Sequence, residues 1–188
     1  MPRRPTRTLP TVLLTAPQSD GAWPTWLAEQ LVAAGREVRQ VDVGSEPQWS
    51  ELNGALAGLT SDGFDVIAHG SGCLLWLLYA ASQPTEPRPA RVALVAPPSP
   101  TVAPAGLEAF YPVPLDIDPV RKAADGTVLV GSDNDPACPG GVATEYGAPL
   151  KMATTVLPGA GGLTAADGYA EWPAVLDWAG RDNLAFRA

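Results

Sequence analysis

A single histidine, His69, and two cysteines, Cys73 and Cys138, are all that 188 residues offer of the side chains most used for metal binding and covalent catalysis. One imidazole excludes a site built on a histidine cluster, and two distant thiols make neither a disulfide framework nor a metal-ligand spacing. Both thiols are therefore read as free, with no metal and no cofactor expected. Positive charge is also scarce: 12 Lys and Arg stand against 20 Asp and Glu, a formal net charge of −8. The only basic cluster, Arg3, Arg4 and Arg7, lies in a proline-interrupted N-terminal stretch, so the rest of the chain is more acidic than the total suggests. That charge argues against nucleic acid and anionic membrane surfaces as partners. No apolar run approaches the roughly 20 residues that span a bilayer, and the start MPRRPTRTLP has charges without a following apolar segment. The expectation is a cytoplasmic protein with a small-molecule ligand; the sequence does not fix its oligomeric state. There is no G-x-G-x-x-G or Walker pattern after the first apolar run, and the small-residue run at 159–162 follows the last one, which argues against a nucleotide site.

What is present is enough apolar sequence, 46%, for one sizeable core. One domain is expected over residues 11–180, between tails at 1–10 and 181–188. Short apolar runs at 11–15 (TVLLT), 64–68, 91–95 (RVALV), 127–131 (TVLVG) and 153–157 read as strands, and 37–43 (EVRQVDV) alternates as a more exposed strand does. Helical spacing appears at 23–34, 47–59, 71–82 and 168–180, the last with a kink or a start at Pro173. Ten of the 21 prolines fall within 84–119, which marks an irregular, lid-like excursion around one strand. Alternating strands and helices predict an α/β fold: a doubly wound, mostly parallel sheet of about six strands with helices on both faces. Such sheets bind ligands beyond the carboxyl ends of their strands, which directs attention to the turns at 16–21, 69–72, 131–140 and 158–167.

The turn at 69–72 has the strand, small-residue turn and helix of a hydrolase nucleophile elbow. Strand and helix cross so closely there that the positions two before and two after the nucleophile must be small. Ala68-His69-Gly70-Ser71-Gly72 satisfies this with Gly70 at the apex; placing Ser71 there puts His69 where a small residue is needed. The apex therefore has no hydroxyl. Serine hydrolysis also needs an imidazole within reach of the nucleophile, and the only histidine is the apex's own neighbour, unable to turn back onto it.

Several separated stretches carry a resemblance: W-x-x-W-L from Trp23, the elbow with C-L-L-W after it, L-V-A-P-P-S-P at 94–100, G-S-D-N-D-P-x-C-P at 131–139, and P-G-x-G-x-L with G-Y-x-x-W-P at 158–173. In these the chain resembles the small bacterial serine hydrolases of the YdeN type, relatives of the human retinoblastoma-binding-protein serine hydrolase, from Thr11 to about Trp178. The resemblance implies a compact α/β-hydrolase fold lacking the first strands. It also implies a triad whose serine falls at Gly70, whose histidine falls at Gly162 and whose acid falls at Asp135. The first loop departs from the family as well, with Ala16-Pro17-Gln18-Ser19-Asp20-Gly21 where relatives place a His-Gly pair. The candidate catalytic groups are then Asp135 and Ser71, with Asp133 nearby. Gln18, Trp23, His69, Phe110 and Tyr111 are candidate pocket-lining residues. Three functions follow: a non-hydrolytic enzyme isomerising, epimerising or cyclising a biosynthetic intermediate, which is the preferred expectation; a pseudo-hydrolase that only binds; and a hydrolase with its nucleophile moved to Ser71 or Cys73.

Overall fold

In the computed structural model the described residues are 8–17, 22–84, 86–182 and 184–186. Six strands form one sheet: β1 Thr11–Thr15, β2 Val38–Asp42, β3 Asp65–His69, β4 Arg91–Val95, β5 Gly126–Ser132 and β6 Ala153–Leu157. All neighbours are parallel, in the order β2-β1-β3-β4-β5-β6. The helices are α1 Trp23–Ala33, α2 Trp49–Leu56, α3 Ser71–Ala81, α4 Ile117–Ala123, α5 Ala148–Leu150, which continues a π-helical turn at Ala143–Gly147, and α6 Pro173–Gly180.

Every residue of β1, β3 and β4 is buried, because helices cover both faces of the sheet. The two-residue period of a strand then sorts the side chains into two cores. Leu13, Ile67, Val95 and Val130 pack with Trp23, Leu27 and Leu31 of α1 and Val175 and Trp178 of α6. Their neighbours Leu14, Val66, Ala68, Leu94 and Leu129 pack on the opposite face with α2, α3, α4 and α5. Burying each large aliphatic contributes about 1.5–3 kcal/mol, so a one-residue slip of a central strand is prohibitive. The β1–β2 crossover, through α1, runs on one face and the β3–β4 crossover, through α3, on the other and in the opposite direction along the sheet. The chain therefore diverges at the carboxyl ends of β1 and β3, where a crevice opens.

At the opposite end of the sheet, buried Asp65 accepts from Arg91 at 2.7 and 3.2 Å, and the Arg36 guanidinium lies 3.7 Å away. Arg36 also donates to the carbonyls of Leu9 and Ala179, and Arg91 lies 4.1 Å over the Trp178 ring. These contacts clamp the starts of β1, β3 and β4 to the end of α6.

The last helix takes one of the two forms expected of it, and two helical segments go beyond the expectation. The last helix begins at Pro173, since proline suits a first helical turn and not an interior. Helix α4, with Pro119 early in it, follows the proline-rich excursion directly, and the π-helical turn with α5 around Pro149 was not legible as helix. No helix among the described residues is long and apolar enough to cross a membrane.

Candidate active site

Gly70 sits between the last residue of β3 and the first of α3 with φ 58° and ψ −124°, a region L-residues enter only under strain. A Cβ built there meets nothing within 4 Å. The apex thus has open space where a side chain would project. Gly72 is constrained for the opposite reason: a Cβ on it would lie 1.9 Å from the Leu14 carbonyl oxygen, so α3 crosses β1 with no room for a side chain.

Above the apex lies a cleft of about 590 Å³. His69 and Gly70 form its floor, and Ala96 and Pro98, residues 135–137, and Gly162 with residues 164–167 form its walls, so small and apolar groups dominate around two carboxylates. Asp135 is only 3% exposed. Its Oδ1 accepts the Ala137 N–H at 2.8 Å, while Oδ2 is buried with no hydrogen-bond partner among the described residues. Burial pushes this carboxyl above its ordinary value, and the charge of Asp167 adds to the effect. A Cβ built on Gly162 would lie 3.6 Å from Asp135 Oδ1, in ordinary contact. A side chain at position 162 would therefore start beside that carboxylate.

The loop carrying Gly162 is fixed from β5. Ser132, Asp133 and Asn134 accept from the N–H groups of Ala160, Gly159 and Gly161 at 2.9, 2.7 and 2.7 Å. Asp133, the neighbour of Asp135 in the sequence reading, is exposed and serves as a loop anchor. Asp167 Oδ2 accepts from the N–H of Gly162 and of Thr164, both at 3.1 Å, and from the Thr164 hydroxyl at 2.7 Å. The Thr164 bonds hold its carboxyl below the ordinary range. The cleft thereby holds one satisfied carboxylate and one unsatisfied one. Asp167 escaped the sequence reading, although T-x-x-D at 164–167 is the spacing of a capping box, which the structure forms.

His69 is buried, its Nε2–H donating to the Gly162 carbonyl at 3.0 Å and its ring edge-on to Trp23 at 5.2 Å. Burial lowers its pKa and keeps the imidazole neutral. It lines the cleft, but the bond to the loop commits it. Other expected site residues lie elsewhere. Ser71, proposed as catalytic, is buried and donates its hydroxyl to the Val43 carbonyl at 2.7 Å, beneath the elbow and off the cleft lining. Cys73 is fully buried between the carbonyls of Ala68 and Val95, and burial pushes its thiol far up, away from the reactive thiolate.

Trp23 is fully buried, packed on Trp172, with its indole N–H on the Leu163 carbonyl. Phe110 is part of the core under α3, and Tyr111 donates to the Ser99 carbonyl. Neither lines the cleft; they tie the proline-rich excursion down. Ser99 is central to that tie: its hydroxyl donates to Glu145 at 2.5 Å and its N–H to the Ala137 carbonyl at 2.8 Å. Cys138, beside Glu145, is buried, and its thiol is pushed up to about 12. Gln18 lies outside the described residues.

A family model described as serine hydrolase matches residues 16–180. Among curated proteins none matches the chain by sequence. Among solved structures it is similar to the ydeN gene product of B. subtilis, with 17% identity, TM-score 0.74, and 91% of this chain and 96% of that one covered. A putative YdeN-like hydrolase of Pectobacterium atrosepticum gives 19% identity and TM-score 0.71 over 91% of this chain and 88% of that one. The esterase domain of a Rhodothermus marinus protein gives 20% identity and TM-score 0.66 over 93% and 87%. At these identities the likeness shows the fold, a compact α/β-hydrolase architecture.

Proposed function

Since the chain belongs to the serine hydrolase family, we propose that it is a hydrolase of small uncharged esters in which water, and no side chain, attacks the carbonyl. The observation that carries this reading is Asp135: a buried carboxylate whose Oδ1 lies 3.6 Å from where a Cβ on Gly162 would stand, the glycine at the position expected of the family's histidine. Family membership and the esterase and hydrolase neighbours favour hydrolysis over isomerisation, epimerisation or cyclisation. The geometry of Ser71 and Cys73 speaks against moving the nucleophile to either.

In this reading the ester carbonyl lies above Gly70, with its oxygen toward the first free amides of α3, beginning at Ser71, whose N–H groups lack intrahelical acceptors. Asp135 acts through one intervening water in the space beside Gly162. As the attacking water's oxygen bonds to the carbonyl carbon, its proton passes along that bridge to the carboxylate. The tetrahedral intermediate then collapses, the ester C–O bond breaks, and the proton returns to the departing alkoxide. Because Asp135 is pushed up, its ionised form is a better base than a solvated aspartate.

The test is hydrolysis of a panel of p-nitrophenyl esters by the wild type and by Asp135→Asn. A general base contributes about 10²–10⁴-fold, so the variant is expected to lose about 10²-fold in kcat with KM little changed. Equal rates would overturn the reading. Ligand-dependent stabilisation with no turnover in the wild type would support the second reading, a binding protein, which the loss of both hydroxyl and imidazole favours.

A further inference from the structure

Two walls of the cleft come from different strands: Pro98 follows β4, and residues 135–137 follow β5. The side chain that ties these walls together lies outside the cleft lining. Glu145, in the π-helical turn, accepts the Ser99 hydroxyl at 2.5 Å through Oε2 and the Gly140 N–H at 2.7 Å through Oε1. Its neighbour Tyr146 donates to the Pro98 carbonyl, and the Ser99 N–H reaches the Ala137 carbonyl at 2.8 Å. From there the bonds run to Asp135: the Ala137 N–H donates to Oδ1 at 2.8 Å and the Cys138 N–H to the Asp135 carbonyl at 3.1 Å. Tyr111 donates to the Ser99 carbonyl, so the proline-rich excursion is held at the same point. Hydrogen bonds to a carboxylate are the stronger kind, and removing this acceptor frees two donors at once.

We infer that Glu145 is a positioning residue of the cleft: through Ser99 and Gly140 it fixes where the Asp135 loop stands against the 98–111 segment. The two then move as one unit, and lifting the segment releases the Asp135 loop with it. This placement does not depend on ester hydrolysis; its effect on turnover rests on the hydrolase reading.

The test reads the Asp135 carboxyl itself, by 13C NMR titration of the aspartate-labelled full chain, with the signal assigned through Asp135→Asn. Of the titratable groups around it, Asp167 shares the cleft, Asp133 is bonded to the Gly159 N–H, burial lowers His69, and the Cys138 thiol is pushed up to about 12. Glu145→Leu and Glu145→Gln remove the same charge. Only Glu145→Gln keeps the tie, its carbonyl accepting from Gly140 and its amide donating to Ser99 Oγ. In Glu145→Leu water reaches the loosened loop, so the Asp135 midpoint should fall by about half a pH unit or more toward 3.8, while Glu145→Gln stays at the wild-type value. Ester kcat should fall about tenfold in Glu145→Leu with KM little changed, and recover in Glu145→Gln, because a small misplacement of a base is costly. Should Glu145→Leu fail to fold, Ser99→Ala removes the tie from its other end and should lower the midpoint too. An unmoved midpoint in the folded variants, or equal falls in Glu145→Leu and Glu145→Gln, would overturn the positioning role. A shifted midpoint in a protein with no ester turnover sinks the hydrolase reading alone; turnover with an unmoved midpoint sinks the positioning role alone.

Discussion

At Asp135 a single side chain carries two opposite consequences. Its carboxyl is raised by burial, so folding shifts it toward the neutral form relative to the unfolded chain. Stability from that preference is fully present below the ordinary value of 3.8 and is lost as pH rises through the raised value. Asp135→Asn keeps an oxygen for the Ala137 N–H and removes the charge. Thermal melts should therefore show the variant gaining on the wild type as pH climbs from about 3.8 towards neutrality; a constant difference would contradict the burial of this charge. The proposed mechanism needs the ionised form, so ester hydrolysis should fall as pH drops through the same raised value, with no such limb left in Asp135→Asn. His69 contributes no limb near neutrality, because burial keeps it uncharged. The expectation of an acid position at Asp135 rests on the G-S-D-N-D-P run and a family resemblance. That its outer oxygen is unpartnered is a property of three loops brought together, which no single stretch encodes. Ser71 fails as a candidate for a similar reason: its acceptor, Val43, lies 28 residues away.

At the level of elements, the elbow sets two glycines to contrasting tests. Gly70→Ala has space but must take φ near 58°, a strain of about 1–3 kcal/mol. Gly72→Ala must move α3 off the Leu14 carbonyl, 1.9 Å from the new Cβ, and should exceed 3 kcal/mol or abolish folding. Denaturant unfolding of the two variants measures the gap; equal costs would mean that the crossing is not what fixes Gly72. The elbow was legible because its constraint is local: a small residue two positions either side of the apex. The excursion at 84–119 was legible only as a composition. Its proline content announced irregular backbone, yet that Phe110 and Tyr111 serve as anchors depends on Ser99, Glu145 and Tyr146, which the fold brings in from 46 and 48 residues beyond the 98–99 turn. Ser99→Ala should speed hydrogen exchange across 99–111 while leaving the sheet strands protected; unchanged exchange would show that the prolines alone hold the segment.

Over the whole molecule, the architecture was readable because covered parallel strands have to be continuously apolar and their helices have to return over both faces. Helix α4 was missed because it abuts the proline-rich stretch, and α5 because it is a three-residue continuation of a π-helical turn. The buried trio of Arg36, Asp65 and Arg91 left no sequence signal, since a charge at a strand start reads as solvent-exposed until α6 closes over it. Asp65→Asn strips a carboxylate from two buried guanidinium groups and should cost about 3–5 kcal/mol by urea unfolding. We propose that the cleft is a serine hydrolase cleft from which the nucleophile and the imidazole have been withdrawn, leaving Asp135 in place. Restoring both, as Gly70→Ser with Gly162→His, tests it most directly through labelling by a fluorophosphonate probe. The account predicts covalent labelling of the folded double variant at position 70, absent from the wild type and lost again when Asp135→Asn is added; a folded double variant that takes no label would contradict it.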